Sequence, residues 1–232
     1  GDANLLMNYG LELTRSGRRE EGLCQYRAAF ETMAAGPAAQ VVPELREMLF
    51  AQFCTQLMAA KRHAEIVQVL TSPLARLGSG LTASLHFTLG LAQMELKQFA
   101  AAAEAFRHCL TKRDRPALTP VNPEVRKAGP RHCLALCLDQ LGETGAAADE
   151  FRLALEADPQ ARPVRSDYAR FLAAHEQQIE ALNLYFALAN EKPGEAQVWL
   201  QGGQLALTRP EFLEVALDWT AEAERHLPGD PA

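Results

Sequence analysis

Cys133 and Cys137 stand one helical turn apart with His132 beside them, and His108-Cys109 form a second such pair upstream. Thiolates and imidazoles are the ligands of a zinc site, which needs four converging donors, usually presented from short Cys-x-x-Cys hairpins. The Cys133-x-x-x-Cys137 spacing instead puts both thiols on one helix face, where cysteine serves as a small apolar filler. An intact turn also orients the two side chains poorly for a disulfide. No metal site is predicted. A Cys or Ser nucleophile would need a histidine base and a third orienting group, but His63, His86, His108, His132, His175 and His226 are scattered along the chain. Gly78-Ser79-Gly80 is too short for a phosphate loop and lacks a following Lys-Ser or Lys-Thr pair, so it reads as a turn. The sequence predicts no catalytic residue, no cofactor and no enzymatic activity.

The composition narrows the partners. Lys plus Arg is 23 against 29 for Asp plus Glu, a net charge of −6 with the basic residues dispersed, which argues against nucleic acid and anionic membrane surfaces. Uninterrupted apolar stretches are only a few residues long, far below the ~20 of a membrane helix, and no charged and hydrophobic leader opens the chain. A soluble, cytoplasmic protein without membrane insertion is expected. Apolar residues at 48% and charged ones at 22% exclude intrinsic disorder, and Ala, Leu, Glu and Gln outweigh the strand formers. Five cysteines, an odd number, fit reduced thiols better than a secreted disulfide framework. The start at Gly1-Asp2-Ala3, with helical periodicity setting in at once, suggests an excised segment of a longer protein.

Any functional surface must be positioned by elements that repeat. Leu134 to Pro159 reads LALCLDQLGETGAAADEFRLALEADP, where Ala147-x-x-x-Phe151, Ala154 and Pro159 form a second helix closed by proline. Ala181, Tyr185 and Pro193 restate Ala147, Phe151 and Pro159 at a spacing of 34, and Val215 and Trp219 follow at another 34. Trp199-x-x-Gly202-Gly203 marks the first helix of that last copy. Upstream, Leu89-Gly90 with Phe99, Ala102 and Phe106 make one copy, and Tyr9-Gly10 with Leu13, Gly17, Tyr26 and Ala29 another. Phe50, Phe53, Cys54, Leu57, His63, Ile66 and Leu70 make a degraded one. The equivalent small positions are Gly10, Cys54, Gly90, Ala135, Ala169 and Gly203, spaced by 44, 36, 45, 34 and 34. They define six units over approximately residues 3–36, 47–80, 83–114, 128–161, 162–195 and 196–229.

The small residue of the first helix and the Ala of the second let two antiparallel helices approach closely. The aromatic four residues after that Ala is expected to fill the wedge to the next unit, and proline ends the second helix. One unit cannot bury its apolar face, so stability comes from stacking nearest neighbours. Extra residues fall at 34–45, with two prolines, and at 112–130, with four. The first should be a loop or helix extension ahead of a long helix, the second a loop with little regular structure. Pro73 must break its helix near Ser72.

These motifs resemble tetratricopeptide repeats from end to end. The resemblance implies an all-α, right-handed superhelical solenoid of about six helix-turn-helix repeats, a single array over residues 1–232 whose concave groove binds protein. The order of a regular repeat, a stretched join, LMAAKRHAEIVQVL, FTLGLAQMELKQFAAAAEAFRHCL, a Pro-rich insertion and CLALCLDQLGETGAAADEFRLALEADP also resembles the C-terminal repeat region of bacterial family 2 glycosyltransferases. That likeness implies an upstream nucleotide-sugar domain with an aspartate-bound metal. No acidic strand-to-loop cluster occurs in the sequence, so no transferase residue carries over, and the chain would be an accessory region organising the enzyme or its acceptor.

The groove positions expected from this register are Met7, Leu11, Met48, Thr55, Phe87, Leu91, Met94, His132, Leu136, Arg170, Leu200 and Gln204. They are largely apolar, with Arg170 the one cation, unlike the Lys, Arg and Asn of the carboxylate-clamp members that hold a peptide C-terminus. An apolar stripe of this kind marks an interface. The expected activity is that of a non-catalytic scaffold holding a peptide, a helix or the missing domain of its own parent chain, with Met48, Phe87, Met94 and Leu200 as anchors. An apolar face at an uncapped end would add a homodimer.

Overall fold

The computed structural model describes residues 2–115 and 122–227. Among them are twelve α-helices, four single 3-10 turns and no strand, as the Ala- and Leu-rich composition and helical periodicity require. The chain divides into two compact units, residues 1–150 and 151–232.

The first unit contains α1 (Ala3–Arg15), α2 (Arg19–Ala35), α3 (Pro43–Ala59), α4 (His63–Leu70), α5 (Ala83–Glu95), α6 (Phe99–Lys112) and α7 (Gly129–Gln140). The helix α8 (Thr144–Ala157) carries residues of both units. The second unit continues with α9 (Arg162–Ala174), α10 (Gln178–Glu191), α11 (Ala196–Ala206) and α12 (Leu213–His226). Odd-numbered helices are the first members of hairpins, and sixteen residues after each small position stands a buried ring or Leu: Tyr26, Leu70, Phe106, Phe151, Tyr185 and Trp219, all 5% exposed or less. A Cβ on Gly90 would lie 2.6 Å from the Phe106 ring, and one on Gly10 3.3 Å from that of Tyr26. The aromatic fills the crossing of its own hairpin and also reaches the next unit, as expected: Tyr26 stacks on Phe53 with ring centroids 5.9 Å apart, and Phe151 lies 5.2 Å from Tyr168 and 5.3 Å from Phe171.

The turns inside the hairpins share one solution. Gly17, Lys61, Lys97, Gly142 and Glu176, each seven residues after the small position, all take a positive φ between 56° and 83°. The amide after each donates back five residues, as in Gln98 N to Gln93 O at 2.8 Å and Arg62 N to Leu57 O at 2.9 Å, the Schellman closure of a helix end. Glycine adopts this backbone freely, whereas Lys61, Lys97 and Glu176 hold it against Cβ crowding. Lys97→Gly is expected to raise stability by about 0.5–1 kcal/mol, read as a shifted urea midpoint at unchanged slope. No gain would contradict the left-handed turn. Pro210 occupies the corresponding place in the last hairpin, where the chain instead forms a 3-10 turn over Pro210–Phe212.

Irregularities fall where prolines do. The α4 helix ends after eight residues, and Ser72 caps a 3-10 turn, Pro73–Arg76, whose Leu74 and Ala75 are buried. The first insertion holds a 3-10 turn, Ala38–Gln40, ahead of the seventeen-residue α3. The second is more ordered than the expected loop at its C-terminal end, where a turn over Pro123–Arg126 inserts the fully buried Val125. Residues 116–121 of this insertion lie outside the described residues.

Candidate functional site

The candidate chemistry resolves into packing. Cys54, Cys109 and Cys137 are buried, and burial pushes the thiols of Cys109 and Cys137 up to about 12, so they are protonated at neutral pH and poor as ligands or nucleophiles. Among the described residues no group of three or more His, Cys, Asp or Glu side chains is gathered as a metal would require. The rings of His86 and His108 lie 5.2 Å apart. Burial, then the nearby Lys112 and His108, lower His86 to about 4, so it is neutral at physiological pH. Gly78 and Gly80 both have positive φ, and their loop is clasped by cations. Lys112 Nζ donates to Ser79 O at 3.2 Å and Leu81 O at 2.8 Å, and the buried Arg46 donates through Nη1 to Leu77 O at 2.5 Å. These side chains use the loop's carbonyls to tie hairpins together, a role that the spacing of Arg46 and Lys112 did not reveal.

The surface of the first helices is best read by position relative to the small residue. The position one residue after it holds Leu11, Thr55, Leu91, Leu136, Arg170 and Gln204, and none of the six is buried. In the first unit α1 touches α3, α3 touches α5 and α5 touches α7, so Leu11, Thr55, Leu91 and Leu136 form one uncovered row. Met94, four residues after its small position, is half-buried beside this row, and the same offset supplies Met58, which sequence reasoning missed because it was not applied to every repeat. Met48 is 40% exposed and His132 half-buried. Arg170 is exposed and donates to Asp167 of its own helix.

Two expected groove residues are not groove residues. Met7 is fully buried and Phe87 is 9% exposed. Both stand three residues before the small position, on the side facing the next hairpin: Phe87 Cζ lies 3.6 Å from where a Cβ of Gly129 in α7 would be, and Met7 joins the core around Leu49 and Phe53 of α3. Leu200 of α11 holds the same position and is 47% exposed. In the second unit Leu200 and Gln204 line a cavity of about 350 Å³ between α11 and α12, with Leu207, Trp219, Ala223 and Leu227 on its walls.

Among the described residues no helix is long and apolar enough to cross a membrane. Residues 83–111 and 133–161 match the family model of the tetratricopeptide repeat. No curated protein sequence matches the chain significantly. Solved structures resemble it throughout at low identity. A tetratricopeptide repeat protein from Parabacteroides merdae superposes with a TM-score of 0.70 at 16% identity, over 96% of this chain and 78% of that one. YrrB, described as a tetratricopeptide protein with an unusual peptide-binding site, gives 0.61 at 18%, over 84% and 94%. PilF of Pseudomonas aeruginosa gives 0.58 at 19%, over 98% and 93%. With two segments that match the tetratricopeptide-repeat model and these structural likenesses, the chain has the fold of the tetratricopeptide-repeat proteins.

Proposed function

We propose that this chain is a non-catalytic scaffold that binds a peptide or helix along the first-helix face of its N-terminal unit. The observation that carries the reading is the uncovered row Leu11, Thr55, Leu91 and Leu136, flanked by Met48, Met58 and Met94. Apolar side chains left half-open at the same position of successive repeats supply contact area to an amphipathic segment, and methionine adapts to an irregular partner. A peptide-binding site in YrrB, which shares the fold, supports the reading by analogy. Arg170 and Gln204 continue the same position in the second unit.

A displayed library of helical and extended peptides, selected on the whole chain, tests this. Peptides enriched on the wild type should bind a Leu91→Asp, Leu136→Asp variant at least about tenfold more weakly, with the circular dichroism spectrum unchanged. Equal binding to both proteins would remove the row from the reading.

The accessory region of a bacterial family 2 glycosyltransferase is the alternative, favoured by the irregular spacing at the two stretched joins, residues 34–45 and 112–130. Under it the chain binds an acceptor peptide or glycan on the same face and shows no affinity for a sugar nucleotide. Under the scaffold reading a neighbouring domain of the same parent is a further candidate occupant of this face, and both readings place the chain in the cytoplasm.

A further inference from the structure

At the second helix of each hairpin, the residues ten, fourteen and seventeen after the small position fall on one stripe at helical spacing. The stripe is open to solvent in all six repeats, with Arg27 half-buried and every other member exposed. No hairpin covers it wherever it stands in the array, so its exposure does not depend on which hairpin comes first or last. From α2 to α8 it is small, polar or charged, as at Glu20, Gln68, Glu104 and Arg152. On α10 and α12 it instead holds Ile179, Phe186, Leu213 and Leu217, exposed by 62%, 51%, 53% and 69%.

These four side chains belong to one surface of the second unit. The Phe186 ring of α10 reaches the Trp219 ring of α12, with centroids 6.1 Å apart, and equal offsets on successive second helices are neighbours. The other stripe members there, Asn183 and Thr220, carry no charge. The rim is acidic. Glu180, Glu214 and Asp218, each next in sequence to a stripe position, are exposed, and the only Lys or Arg of either helix is Arg225, which is ion-paired to Glu222.

Large apolar side chains at positions that other repeats give to water mark a contact surface. The acidic rim selects what it contacts. A second copy would bring the same carboxylates face to face, an anionic bilayer would be repelled, and a further repeat would leave the stripe open as every repeat does. We infer that the outer face of α10 and α12 docks a basic amphipathic helix of another protein. Its apolar side chains seat on Ile179, Phe186, Leu213 and Leu217, and its flanking Lys or Arg side chains meet Glu180, Glu214 and Asp218. Ile179 and Phe186 are seven residues apart, about 10 Å along the helix, which matches two anchors two turns apart on a facing helix. This face is separate from the first-helix row of the first unit, and each can fail without the other.

Fluorescence anisotropy of a labelled helical peptide, leucine on one face and lysine on the other, titrated with the 232-residue chain, tests the proposal. The peptide should bind the wild type, and an Ile179→Gln, Leu217→Gln variant at least about tenfold more weakly. A Glu180→Gln, Asp218→Asn variant should bind about threefold more weakly at low salt, the difference fading at high salt as the rim is screened. The same peptide with glutamate in place of lysine should not bind. The Leu91→Asp, Leu136→Asp variant should bind as the wild type does, which separates this face from the row. Circular dichroism melting checks the fold; if the apolar variant melts early, the Glu180→Gln, Asp218→Asn variant, which keeps every apolar side chain, carries the test. Equal binding of the two peptides, or equal binding to the wild type and a folded variant of this face, overturns the proposal. So does a wild type whose sedimentation shows self-association that Ile179→Gln, Leu217→Gln abolishes, since the occupant is then a second copy. A native polypeptide that, purified from its source, does not bind the peptide while the 232-residue chain does also overturns it, because a segment of the same polypeptide then covers the face.

Discussion

Phe87→Asp is expected to unfold the hairpin of α5 and α6 instead of silencing a binding face. The ring is buried against Phe106, with centroids 5.8 Å apart, and against the start of α7 at Gly129. Removing a buried Phe costs about 3–5 kcal/mol in packing, and burying a carboxylate in its place adds a desolvation cost. Neighbouring hairpins would lose their stacking surface with it. Thermal melting by circular dichroism should show a fall in midpoint or a separate early transition. Leu91→Asp, four residues further on the half-open row, should cost less than about 1 kcal/mol. A Phe87→Asp protein that melts with the wild type would falsify the assignment of this ring to the core.

Gly202→Ala and Gly203→Ala should act in opposite directions although the residues are adjacent. A Cβ on Gly202 would fall 2.0 Å from Cζ2 of Trp219, a ring 5% exposed whose Nε1 donates to Trp199 O at 2.7 Å. The indole cannot retreat without losing that bond and its edge contact with Trp199, at a centroid distance of 5.2 Å, so overpacking should cost about 1–3 kcal/mol. A Cβ on Gly203 meets the same ring at 3.4 Å, close to ordinary contact, and alanine gains up to about 1 kcal/mol of helix propensity. The chain's two tryptophans are Trp199 and Trp219, both in the second unit, so urea unfolding followed by tryptophan fluorescence reports on that unit alone. Equal effects of the two substitutions would mean that the ring does not lie over Gly202.

The fold was legible because its determinants are local and recur. A small residue, a ring sixteen residues later and a proline at the helix end encode a hairpin whatever its neighbours are. The binding face was less legible. Position three before the small residue looks like surface within a single helix, yet Met7 and Phe87 are covered by the next hairpin while Leu200 is open; only stacking tells them apart. The spacing of 34 puts Gly203 at the crossing, whereas the Trp219 ring lies more tightly over its neighbour Gly202, a one-residue difference that the repeat period does not resolve. The left-handed turns at Lys61, Lys97 and Glu176 escaped notice because the glycine that signals such a turn is missing from three of the five.

The clasped loop at residues 77–81 changes how the array bears load. Arg46, near the start of α3, and Lys112, at the end of α6, both grip its carbonyls, so the outer ends of two successive hairpins are fastened to one short stretch of backbone. Pulled lengthwise, a stack held only by nearest-neighbour faces peels one hairpin at a time. Here tension reaching either hairpin meets a clasp on the shared loop, and the two yield together as one mechanical element in the middle of the first unit.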